Sequence, residues 1–312
     1  GEPQLRAIKR RIIETECADL LEFIEVDRTL DAVIGLDEAK AWLREDARLL
    51  REGRTGSLPM GYLICGRIGT GKTFLATSWS GEIGIPCVVL KNFRDKWQGS
   101  TEGNLEKIFN VLHALGQVLV FVDEADQATG KRGNESSDGG LSGRVYAMLA
   151  KEMSDTRNRG KILWIFATSR PDLLEVDLKR PGRLDVHIPL FPPQEAGERR
   201  ALLAGMARKM GLPLADADVP EIPDDLTVGG NELESVLVRA RRAWDLEQGR
   251  GGARTLSQVV ADTLKDFRPS AHVDHLAYMD LIAVKECTDE RFLPTAWRGV
   301  SRDEVDRRIE DL

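Results

Sequence analysis

The stretch Gly66-Arg67-Ile68-Gly69-Thr70-Gly71-Lys72-Thr73 follows directly on the apolar run Gly61-Tyr62-Leu63-Ile64-Cys65 and opens a segment of helical character from Phe74 onward. Glycines at both ends let the backbone curl so that successive N–H groups point inward, and the N-terminus of the next helix adds its positive dipole end. Such a cradle receives a phosphate. Lys72 is placed to reach the β- and γ-phosphates, and the Thr73 hydroxyl to bind Mg²⁺. The plainer alternative is a glycine-rich strand-to-helix turn with no ligand.

Outward from this loop, short apolar runs near 61–65, 87–90, 118–122, 162–168 and 186–189 alternate with helical patterns. That alternation predicts βαβ units and a parallel five-stranded sheet with helices on both faces, an α/β architecture. Val118 to Val122 is an apolar strand that ends in Asp123-Glu124. Asp123 is suited to the Mg²⁺ shell and Glu124 to polarising an attacking water. Capping of the next helix by these acids is the other reading. Pro192-Pro193 closes the alternation, and from 194 to about 267 the apolar spacing is helical only, as in Leu233, Val236, Leu237 and Ala240. The expected layout is a helical linker over 1–26, with helix over 4–24; a nucleotide-binding domain over 27–192; a small all-helical lid domain over 193–268; and a helical extension over 269–312. The extension is expected to pack on the lid or on a neighbouring subunit.

The chain has 312 residues, a formal net charge of −7 and a sequence pI near 5.4. This balance argues against nucleic-acid binding through bulk charge. No apolar run approaches the roughly 18 residues that span a bilayer, so no membrane partner is expected. Cys17, Cys65, Cys87 and Cys287 lack any CxxC spacing, and His113, His187, His272 and His275 form no ligand set with them. A reducing, cytoplasmic setting is the expectation. The lone Gly1 before a polar segment reads as a cloning remnant of a longer protein.

Taken together, the motifs resemble the AAA clade of P-loop ATPases, over about Ile34 to Ala243. Gly66 to Thr73 and Asp123-Glu124 match its Walker A and Walker B motifs. Ala167-Thr168-Ser169-Arg170-Pro171-Asp172 and Lys179-Arg180-Pro181-Gly182-Arg183-Leu184-Asp185 match the two motifs that follow. The resemblance implies a P-loop NTPase fold, ATP and Mg²⁺ as ligands, and nucleotide contacts from Gly66, Arg67, Ile68, Gly69, Thr70, Gly71, Lys72, Thr73 and Phe74. It implies that Val33, Ile34 and Gly35 lie against adenine. It also implies that Arg180 and Arg183 reach the γ-phosphate of a neighbouring subunit, so that hydrolysis needs a homo-oligomeric ring, a hexamer. An arginine finger of this kind contributes about 10³ to 10⁵ in rate. Two solvated loop arginines are the alternative.

Several positions depart from the family. Ser169 stands where a sensor asparagine is usual; it either helps position water or merely ends a strand. Lys96-Trp97-Gln98-Gly99 resembles the aromatic pore loop with which the family grips polypeptide, but Gln98 replaces an aliphatic residue. Trp97 packed against its own domain is the other possibility. The run from Gly130 to Gly140 is glycine- and serine-rich, and borders the second pore loop in the family. No arginine stands near Gly229-Gly230-Asn231-Glu232-Leu233, as in the AAA clade proper. Arg67 and Ile68 replace two prolines. The segment before Ile34 is also similar to bacterial and plastid AAA proteins whose active second domain follows a degenerate first. The expected function is an ATP-driven ring that remodels or threads protein; the alternative is an ATP-gated switch or scaffold that pulls nothing.

Overall fold

Three runs without a polar interruption, Gly61–Cys65 (β2), Val118–Val122 (β4) and the longer Ile162–Thr168 (β5), are buried along their whole length. Strands of that composition belong inside a sheet covered on both faces. In the computed structural model, which describes residues 1–91, 101–126 and 139–312, they form the middle of a six-stranded sheet. Leu21–Ile24 (β1), Cys87–Leu90 (β3) and Leu184–Pro189 (β6) complete it, in the order β1-β3-β4-β5-β2-β6. All neighbours are parallel except β1 and β3. Lys96, Trp97, Gln98 and Gly99 lie outside the described residues, as does the run 130–138.

The five expected parallel strands are present, and the sixth corrects the reading of residues 4–24 as one helix. Helix α1, Glu2–Glu16, stops at Cys17, whose φ of −136° leaves the helical region. The chain then turns and lays β1 against β3, with Leu21 opposite Leu90 and Ile24 opposite Cys87. Leu21 is buried and Glu22 exposed, the alternation of a half-covered edge strand.

The chain divides into two compact units. The first comprises Gly1–Gly66, Lys72–Pro189 and Leu281–Asp311. It contains the sheet with helices α1, α2 (Asp37–Arg51), α3 (Lys72–Ile83), α4 (Thr101–Leu115) and α5 (Gly139–Ser154). Leu63, Val88, Val120, Trp164 and Phe166 pack with Leu105, Leu112, Leu149 and Met153 in its core. The segment expected to lie on the lid or on a neighbour belongs largely here: the His187 amide donates to Thr288 Oγ1 at 2.9 Å, and Lys179 Nζ meets Glu286 Oε1 at 2.6 Å.

The second unit comprises Arg67–Gly71, Leu190–Asp280 and Leu312. Helices α6 (Ala196–Lys209), α7 (Gly230–Gln248) and α8 (Leu256–Asp266) bury Leu203, Leu233, Val236, Leu237, Val260 and Leu264 together. A reciprocal cap starts α8: the Gln258 amide donates to Thr255 Oγ1 and the Thr255 amide to Gln258 Oε1. Helix α9, Val273–Glu286, begins in this unit and ends in the first.

Candidate functional site

The neighbours of β2 are β5 and β6, and β4 lies beyond β5. The carboxyl ends of β2, β4 and β5 are therefore adjacent, and the residues following them meet at one edge of the sheet, where α/β folds hold their ligands. From β2 the chain enters the loop Gly66–Gly71 before α3 begins at Lys72. Gly69 and Gly71 have φ of 84° and 86°, a region side chains rarely adopt. At Gly69 a Cβ would also lie 1.9 Å from Asn231 Oδ1, so a side chain there would have to displace Asn231.

Lys72 turns back across the loop. Its Nζ donates to Gly66 O at 2.8 Å and to Ser169 Oγ, just past the end of β5, at 3.2 Å. Burial pulls its ammonium below the ordinary lysine range, while Asp123, Asp126 and Glu124 act in the opposite sense. The Thr73 hydroxyl donates to Asp123 Oδ2 at 3.2 Å. A hydroxyl and a carboxylate held together in this way are hard oxygen donors of the kind Mg²⁺ takes, so the residues fit that ion. Mg²⁺ held by Thr73 and Asp123 would supply charge neutralisation for a bound phosphate.

Glu124 has φ of 48°, a left-handed conformation unusual for a residue with a side chain. Its amide donates to Asp123 Oδ1 at 2.9 Å, tying down one acid while its own carboxyl remains exposed. Strain of this sort costs about 1–3 kcal/mol and tends to mark working residues. An exposed carboxyl beside the Thr73–Asp123 pair has the chemistry to polarise a water.

Arg180 and Arg183 stand on a separate turn before β6. Asp177 holds both: its carboxylate lies 3.2 Å from Arg180 Nη2, and its carbonyl accepts from Arg183 Nη1 at 2.6 Å. The turn itself is fixed by Asp185, which accepts the amides of Gly182 at 2.5 Å and Met60 at 2.7 Å. Val33, Ile34 and Gly35 form the approach to α2. Lys40 Nζ donates to Val33 O at 2.8 Å, and Gly35 and Leu36 both have positive φ, 68° and 55°. Phe74 is part-exposed under the Arg28 guanidinium, 4.4 Å from the ring centre.

The structure thus joins Lys72, Thr73, Asp123 and Ser169 by hydrogen bonds, and leaves the arginine turn apart. Sequence reasoning missed three participants. Thr168 Oγ1 donates to Asp126 Oδ1 at 2.6 Å and accepts the Arg170 amide at 2.9 Å, linking the end of β5 to the acids after β4. The position of Asp126, two residues past Glu124, was the available signal. The third, Asp280, pairs with Arg67 in the second unit.

A glycine-bent loop between a buried strand and a helix, its lysine turned inward and its threonine paired with the acid of a neighbouring strand, defines a P-loop nucleoside triphosphatase. Residues 62–191 match the ATPase family associated with various cellular activities (AAA). The chain is similar to the ATP-dependent zinc metalloprotease FtsH 1 of Symbiobacterium thermophilum, 32% identical over 250 residues that make up 76% of this chain and 42% of that protein. It is also similar to FtsH 2 of Salinibacter ruber, 33% identical over 72% of this chain and 34% of the relative. For FtsH of Mycobacterium tuberculosis H37Rv the identity is 34%, over 73% of this chain and 30% of the relative. Residues 62–191 are thus an AAA domain of the P-loop ATPases, a domain whose reaction is the hydrolysis of ATP. The chain spans less than half the length of these curated relatives. Among the described residues no cluster of three or more His, Cys, Asp or Glu side chains could hold a metal ion, and no helix is long and apolar enough to cross a membrane. The four cysteines are buried and free.

Proposed function

We propose that this ATPase works as a homo-oligomeric ring that remodels or threads protein. The observation that carries the reading is the arginine turn: Arg180 and Arg183 are held by Asp177, apart from the hydrogen-bonded cluster of Lys72, Thr73, Asp123 and Ser169, and the Arg180 side chain is 65% exposed. Guanidinium groups presented outward in this way suit the phosphates of a neighbour's ATP. In this reading ATP lies with its adenine along Val33–Gly35 and its phosphates in Gly66–Thr73. Asp123 and Thr73 hold Mg²⁺, and Glu124 orients the water. Trp97 grips the substrate through apolar contact, which needs no particular sequence. The similarity to proteases named as ATP-dependent supports action on polypeptide.

The ring is tested by mass measurement of Glu124→Gln in solution with ATP, since this variant should bind without hydrolysing. A complex of several copies is expected; a persistent monomer would count against a nucleotide-held ring. Threading is tested separately by Trp97→Ala, which is expected to keep most basal hydrolysis while losing substrate unfolding. Hydrolysis and unfolding that fall equally would make Trp97 structural, and a parent protein that hydrolyses ATP but unfolds nothing would favour an ATP-gated switch.

A further inference from the structure

One side chain of the phosphate loop is committed to a partner far along the chain. Arg67 stands where proline is usual, and its guanidinium forms a two-pronged contact with Asp280 on helix α9. Nε donates to Oδ1 at 2.9 Å and Nη2 to Oδ2 at 2.5 Å. Both side chains are largely covered, at 14% and 18% exposure. Two further bonds hold the same short stretch: Thr70 Oγ1 donates to Arg67 O at 2.8 Å, and the Gly230 amide donates to Gly69 O at 3.0 Å. All of these residues belong to the second unit.

We propose that Asp280 is a positioning residue for ATP binding, acting through Arg67. A forked guanidinium–carboxylate pair fixes orientation as well as distance. Asp280 therefore sets the course of the backbone at 67–69, whose neighbouring amides receive phosphate. The pairing also has an electrostatic role. A carboxylate close to the loop repels a triphosphate unless it is neutralised, and Arg67 supplies the neutralising charge. The two partners are consequently unequal. Loss of Asp280 leaves a cation near a polyanion, whereas loss of Arg67 leaves a bare, partly buried acid there.

The inference rests on Gly66–Thr73 being the phosphate loop, and the experiment separates the two. ATP affinity is measured by calorimetry, and KM and kcat by steady-state hydrolysis, for the parent and for Arg67→Gln, Asp280→Asn and the double variant. Arg67→Gln is expected to weaken ATP binding about tenfold or more with kcat changed less than about threefold, and Asp280→Asn only about two- to threefold. The double variant should return to within about threefold of the parent, because the offending acid is gone. The Arg67→Gln defect should shrink as salt rises from 0.05 to 0.5 M, by screening, which a merely structural lesion would not do. Should Arg67→Gln fail to fold, Arg67→Lys, which keeps the charge, is expected to bind within about threefold of the parent. Parent-like binding by Arg67→Gln, no recovery in the double variant, or a tenfold loss in Arg67→Lys overturns the proposal. Parent-like ATP binding by Lys72→Met would instead overturn the phosphate-loop reading beneath it.

Discussion

Asp46 is buried, at 7% exposure, and it accepts a hydrogen bond from the buried Tyr62 hydroxyl at 2.6 Å. Burial pushes its carboxyl up to about 6, reinforced by the charge of Glu45, while the Tyr62 bond pulls the other way. A group whose folded pKa is raised binds its proton more tightly in the native state. The contribution of Asp46 to stability is therefore greatest below the ordinary aspartate value near 4 and declines as pH rises towards about 6. Asp46→Asn can still accept the Tyr62 bond but never ionises. It is expected to be more stable than the parent by about 1–3 kcal/mol at pH 7.5, with the gap closing below about pH 4. Urea melts across that range read the effect; a gap independent of pH would refute it. Asp46 carries no signature in the sequence, because its cost comes from burial alone. The loop residues are legible for the opposite reason. Gly69, Gly71, Lys72 and Thr73 are demanded by local geometry and stand side by side, whereas Asp280 is 213 positions from Arg67 and only folding brings the two together.

At the scale of elements, legibility followed burial. β2, β4 and β5 are covered on both faces and read as unbroken apolar runs, which no helix of ordinary amphipathic pattern imitates. β1 has the composition of either element. Its four residues, Leu-Glu-Phe-Ile, follow a helix whose apolar spacing they continue, and the deciding factor is the unpaired edge of β3. That edge belongs to a strand whose paired residues, Cys87 to Leu90, stand far along the chain from Leu21–Ile24, beyond the reach of any local window. The same holds for Thr168 and Asp126. Each sits within a recognisable motif, but their bond depends on β4 and β5 being neighbours. Ser169 shows the converse: the sequence leaves it between sensing and ending a strand, and the structure places it one residue past β5, where Lys72 Nζ donates to its hydroxyl at 3.2 Å.

For the whole molecule, the proposed ring makes a quantitative demand. If Arg183 serves a neighbour's site, a chain with Arg183→Ala still offers an intact phosphate loop, and a chain with Lys72→Ala still offers an intact arginine. Each alone should be nearly inactive. Mixed, they form some interfaces that combine a working loop with a working arginine, so a fraction of parental ATP turnover is expected to return, rising and falling with the mixing ratio. Turnover that stays at the sum of the separate variants under every assembly condition would exclude action in trans. The bond from the Gly230 amide to Gly69 O has a different kind of consequence. It runs from main chain to main chain and is indifferent to which side chains surround it. The loop can exchange prolines for Arg67 and Ile68 and keep this tether, and at position 230 only proline, which lacks the N–H, removes it directly. A fixed point of this kind gives the sequence around it freedom to drift.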